Sequence, residues 1–120
     1  MGGWSCRRIS ALAELSDATT AIVTRLSVEE LAYVDNDGNL HMYTIDPAKL
    51  EGLSTRRELG GENFDFQVSV RYKARGERVL GPFGSTPPED RAIGSLAVSC
   101  VLYENAHFFP AKLSVMAWRA

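Results

Sequence analysis

The sequence predicts an α+β fold, with an N-terminal amphipathic helix packed on an antiparallel sheet of four or five strands. Three observations predict it. A helical apolar seam runs from Ile9 to Leu26, a strict alternation runs from Phe64 to Tyr72, and a nearly continuous apolar run from Ser95 to Glu104 leads into a last alternating stretch.

The elements follow in chain order. Met1-Gly2-Gly3 reads as a start and spacer and carries no apolar region of a secretory signal; read as a junction, it stands where a native chain would have begun earlier. Residues 4–28 are the expected helix. Within them Leu12, Leu15, Thr19, Ile22 and Leu26 recur at three- and four-residue steps, and Ala11, Ala13, Ala18 and Ala21 leave the surface small enough for close packing. Arg7 and Arg8 put positive charge where the helix dipole disfavours it, which fits either a helix that begins further upstream or a frayed terminus.

Residues 29–120 form the expected sheet region. Leu31 to Val34 and Leu40 to Ile45 flank Asp35-Asn36-Asp37-Gly38-Asn39, whose residues tolerate positive φ and bond their own backbone, so a β-hairpin is expected. Asp46-Pro47 is an N-cap and first helical residue, opening a turn of helix through Leu50 and Leu53. Phe64, Phe66, Val68, Val70 and Tyr72 alternate with Asp65, Gln67, Ser69 and Arg71, the pattern of a strand with one wet face. Residues 73–94 are charged and rich in glycine and proline, and read as a long exposed connection with at most a short strand near Arg78 to Leu80. The run from Ser95 to Glu104 is expected to be central and covered on both faces. A turn at residues 105–110 then leads into a last strand from Lys112 to Arg119, antiparallel to its predecessor.

A length of 120 residues suits one domain. The apolar share of 45% is that of a globular chain, and a net charge of −2 gives no broad positive field, which argues against nucleic acid as a partner. No apolar run approaches the roughly 20 residues of a membrane-crossing helix. Cys6 and Cys100 match no metal-ligand spacing and are either buried thiols or one disulfide, with the thiol reading favoured for Cys100 in its apolar strand.

Chemistry is sparse. Asp35, Asp37 and Asn39 offer oxygens, yet Gly38 is misplaced for a calcium loop and no glutamate closes it, so a turn is the favoured reading. His41 and His107 have no second ligand or catalytic partner at a diagnostic interval. Cys100 lies among apolar residues, where a thiol is a weak nucleophile. Gly81-Pro82-Phe83-Gly84-Ser85-Thr86 lacks the lysine of a phosphate loop. No catalytic, cofactor-binding or metal-ligating residue is therefore assigned. Phe83 and the Phe108-Phe109 pair are the candidate contact residues, as aromatic side chains on expected loops.

A leading helix with an apolar, alanine-rich seam, a DNDG hairpin, a Gly/Pro-rich connection and two closing strands in RAIGSLAVSCVLYENAHFFPAKLSVMAWR resemble the soluble part of archaeal type IV pilin-like surface proteins. The resemblance implies that a hydrophobic segment and its processing site precede Trp4. It also implies that Leu12, Leu15, Ile22 and Leu26 face the sheet, and that no catalytic residue carries over. The expected function is accordingly a non-enzymatic, extracytoplasmic pilin-like assembly protein, the soluble domain of a membrane-anchored precursor. Its expected partners are proteins or further copies of itself, with a membrane reached only through the upstream segment. The alternatives are a small cytoplasmic or virion-associated binding module that uses residues 73–94 as its contact surface and, last, an enzyme built on His41, His107 and the acidic hairpin.

Overall fold

The computed structural model describes residues 3–120, with side chains described from Glu14 onward. Helix α1 (Gly3–Arg25) ends in a single π-type turn at Leu26–Glu30. Seven strands follow: β1 (Ala32–Val34), β2 (Leu40–Ile45), β3 (Arg56–Leu59), β4 (Glu62–Lys73), β5 (Glu77–Gly84), β6 (Gly94–Glu104) and β7 (His107–Arg119). One short 3-10 turn, Pro47–Lys49, separates β2 from β3, and the Asp46 carboxylate caps it by accepting the Ala48 N–H at 3.1 Å.

The expected α+β class, a helix on an antiparallel sheet of four or five strands, is overturned by the sheet. All seven strands join one curled, mixed sheet in the order β1-β2-β6-β7-β4-β3, and β5 pairs with the second half of β4. Strand outweighs helix in the described chain, and the pairing of β2 with β6 is parallel. Two physical reasons account for the difference. Strand β3, with the sequence Arg-Arg-Glu-Leu, carries no apolar alternation and becomes a strand because the Gly60-Gly61 turn folds it onto β4, Arg56 opposite Asp65 and Leu59 opposite Glu62. Much of the expected 73–94 connection is β5, whose alternation is masked by glycine and proline but whose backbone pairs with β4 from Lys73 back to Gln67.

The core lies between α1 and one face of this sheet. Leu15, Ala18, Thr19, Ile22, Val23 and Leu26 are buried on the helix, and the Thr19 hydroxyl donates to the Leu15 carbonyl at 2.7 Å, which lets a polar side chain sit in that seam. Strand β7 runs through the middle. Val68 and Val70 of β4 stand opposite Val115 and Leu113, which stand in turn opposite Leu96 and Val98 of β6. These side chains form cross-strand rows on the core face. Gly94 lies where α1 crosses β6, and a Cβ there would collide with the Thr19 hydroxyl.

Ionic contacts close the margins. Arg57 reaches from β3 to Glu30 at 2.5 Å while its guanidinium lies 5.2 Å from the centre of the Phe66 ring. Arg119 bridges Glu14 of α1, at 2.8 Å, and Glu62 of β4, at 2.6 Å. Cys6, Arg7, Arg8 and the Met1-Gly2-Gly3 leader were read from sequence for a thiol or disulfide, for charge at the helix start and for a junction. The side chains concerned lie outside the described residues.

Candidate functional site

The β1–β2 hairpin is built around one carboxylate. Asp35 accepts the backbone N–H groups of Asp37 and Asn39, both at 2.9 Å, through one oxygen, and meets His41 Nε2 at 2.8 Å through the other. The His41 bond is the first of the causes that hold the Asp35 carboxyl below its usual value, followed by the two backbone donors. Both oxygens are thus engaged by the turn itself, which is the local bonding that Asp favours at such positions. Among the described residues no three of His, Cys, Asp and Glu converge.

An aromatic stack fixes the hairpin on the sheet. Tyr33 lies on Tyr103 with ring centres 4.0 Å apart, Tyr103 meets Phe108 at 5.0 Å, and Tyr33 meets His41 at 5.5 Å. Hydrogen bonding to the Tyr103 side chain, and then burial, pushes the Tyr33 hydroxyl up to about 12, so it stays protonated through neutral pH. Between Ala32 and Tyr33 the pairing slips, and residues 42–44 bulge from β2 with Tyr43 at a φ of 61°. The outcome is a group of exposed apolar side chains on and beside the hairpin: Val34, Leu40, Met42 at 59%, Tyr43 and Phe108 at 58%. Four of the five stand between Val34 and Tyr43 on one well-fixed hairpin, a local concentration of exposed apolar side chains of the kind that marks contact surfaces.

The residues singled out in the sequence fare differently. Phe108 is exposed, as a contact residue must be, whereas Phe109 turns to the core face and packs near Tyr72, with ring centres 5.9 Å apart. The reason is the two-residue turn at Asn105-Ala106, both at positive φ, which starts β7 at His107, five residues earlier than the expected Lys112. Phe83 stands in β5, opposite Val68, and packs partly against the core, so it is no loop tip. Cys100 is a buried thiol, and burial pushes it up to about 11.

His107 opens β7 in a shallow groove with Tyr72, Arg75, Arg78, Glu104 and Phe109. Neither a hydrogen bond nor a ring contact joins it to His41 among the described residues. Sequence reading missed the Tyr33–Tyr103 stack and the exposure of Met42 and Tyr43. Leu40 and Met42 flanking His41 were the available signal, but the slip between β1 and β2 that takes Met42 out of the pairing leaves no mark in the residue pattern.

No known family matches this chain, and neither a curated protein nor a solved structure is similar to it.

Proposed function

We propose that the chain is a non-enzymatic assembly module, the soluble domain of a pilin-like, membrane-anchored surface protein, and that the hairpin end of the sheet is one of its contact surfaces. The observation that carries this reading is the set of exposed apolar side chains Val34, Leu40, Met42 and Tyr43 on a hairpin that Asp35 and the Tyr33–Tyr103 stack immobilise, with Phe108 exposed beside it on β7. Large apolar groups kept in a fixed arrangement lose little conformational entropy on docking, which is how contact surfaces gain affinity. Further support comes from α1, a rod of 23 residues whose C-terminal half docks on the sheet while its other end leads toward the upstream segment that the resemblance implies. In this reading the domain stands outside the cytoplasm and assembles with proteins or with further copies.

The test is surface assembly of the full-length protein in its native cells. Met42→Asp combined with Phe108→Asp alters two exposed positions, so the thermal midpoint should move by no more than a few degrees. Surface assembly, read by membrane fractionation and cross-linking, should be lost. Assembly that survives both charges overturns the reading.

A further inference from the structure

Strand β6 carries an edge that the fold leaves open. Its pairing with β7 extends over the whole strand, from Gly94 opposite Ala117 to Glu104 opposite His107. On the other side only Val101 and Leu102 are paired, with Thr44 and Ile45 of β2. From Gly94 to Cys100 no strand covers that edge, and among the described residues no other backbone hydrogen bond reaches it. A row of unpaired N–H and C=O groups of this length is a template for an added strand.

The other free margins of the sheet are blunted and this one is not. Strand β1 is three residues long, β3 has the sequence Arg-Arg-Glu-Leu, and β5 carries Glu77, Arg78, Pro82 and a register shift against β4. Short length, charge, proline and bulges are the devices that keep edges from pairing. From Ala92 to Tyr103 there is no charged residue and no proline. The composition is that of a strand covered on both sides, placed where half of it has a neighbour on one side only.

We propose that this edge pairs with the same edge of a second copy, antiparallel about a two-fold axis at Ala97. The segment Gly94-Ser95-Leu96-Ala97-Val98-Ser99-Cys100 is nearly symmetric about its centre. The axis sets Ala97 against Ala97, Ser95 against Ser99 and Leu96 against Val98 of the other copy. Leu96 and Val98, half-buried within one copy, extend the Val68–Val115–Leu96 and Val70–Leu113–Val98 rows into the second. No like charges meet, and small side chains lie opposite one another on the outer face. Length fits as well: β6 begins at Gly94 and β2 occupies the edge from Val101, so the open slot and the segment that fills it are the same residues. Self-complementarity of this kind is what an isologous interface requires. Beside the slot, α1 and β6 form a groove lined by Ser16, Thr20, Ile93 and Leu96, and Ile93, at 39% exposure, is covered by the pairing.

The inference takes from the assembly reading only the idea that copies of this chain meet, and it uses a surface separate from Met42 and Phe108. The experiment is sedimentation of the described chain with single substitutions at Ala97, an exposed position. The parent should be a dimer. Ala97→Lys and Ala97→Glu should each weaken dimerisation at least tenfold at low salt, since like charges would then stand directly opposite. Mixing the two variants should restore it, and circular dichroism should show both folded. In addition, Ala97→Cys should give a covalent dimer on mild oxidation beyond the parent's background, because directly opposed antiparallel residues have the Cα separation a disulfide needs. A monomeric parent, a dimer indifferent to charge at position 97, or no covalent dimer above background overturns the proposal. Failure of the Met42 and Phe108 variants alone leaves it standing, which separates the two readings.

Discussion

Strands β4 and β6 flank the same central strand, β4 alternating and β6 nearly continuous in its apolar residues, and they end in different surroundings. In β4 the inward residues Phe66, Val68 and Val70 have no exposed surface, because β7 covers one edge and β3 and β5 share the other. In β6 the equivalent residues Leu96 and Val98 are half-buried, and burial becomes complete only near Leu102, where β2 joins. The more uniformly apolar strand is the less covered one. Burial in a sheet is thus set by lateral neighbours as much as by the side chains of the strand itself.

The largest expected effect breaks that comparison directly. Val68→Ala in β4 removes fully buried methyl groups and should cost about 2–3 kcal/mol of stability, in the range of transfer plus cavity terms for such deletions. Val98→Ala, the same change in β6, should cost about 1 kcal/mol or less in the monomer, where part of the side chain already faces water. Denaturant melts at low protein concentration measure both. Equal costs would mean that β6 is covered within one copy after all.

Next in size is Gly94→Val. The Cβ it adds runs into the Thr19 hydroxyl and approaches Leu15, so α1 must move from β6 or Thr19 must leave its bond to the Leu15 carbonyl. Overpacking of this kind costs about 1–3 kcal/mol. Gly94→Val with Thr19→Ala should recover part of the loss, and a double-mutant cycle reads the coupling.

How much of this was legible follows from which contacts are local. The helix seam, the alternation of residues 64–72 and the Asp35-Asn39 turn rest on neighbours within a few positions, and Leu15, Ile22, Leu26, Phe66 and Val68 are buried as their spacing implies. The number of strands and the mixed sheet were not legible, because β3 and β5 owe their form to β4 and the parallel β2–β6 contact joins residues more than fifty positions apart. Of the hairpin surface, the turn could be read from Asp35, Asp37 and Gly38. The stack of Tyr33 on Tyr103 could not, since it depends on where β6 comes to lie, and neither could the slip between β1 and β2 beside which Met42 is exposed.

A smaller effect concerns Cys100, which lies where β6 passes from open to covered. With burial pushing its thiol up to about 11, little thiolate is present at neutral pH, and alkylation should be slow in the folded protein and fast on unfolding. The folded value is raised above the ordinary one near 9.0, so stability from this group is present below that value and declines as pH rises toward about 11. Mass spectrometry after timed labelling resolves Cys100 by its own peptide. Rapid labelling in the native state would place β6 outside the core at that position.

The smallest effect isolates the hairpin from both strands. Asp35 is held below its usual value by His41 first and then by the Asn39 and Asp37 N–H groups, so its contribution is present above the ordinary carboxylate range, near 3.8, and disappears as pH falls through the lower folded value. An acid titration followed by NMR should show the Asp37 and Asn39 amides shifting together below that range, as the Asp35 carboxylate that accepts both takes up its proton. Asp35→Asn keeps a carbonyl acceptor for the turn but loses the charge, so the amide shifts should lose their pH dependence while the β4–β7 amides stay unchanged. If both amides were instead indifferent to Asp35→Asn, the carboxylate would not organise the turn. The fixed hairpin on which the assembly surface depends would then lose its anchor, while β4 and β6 kept theirs.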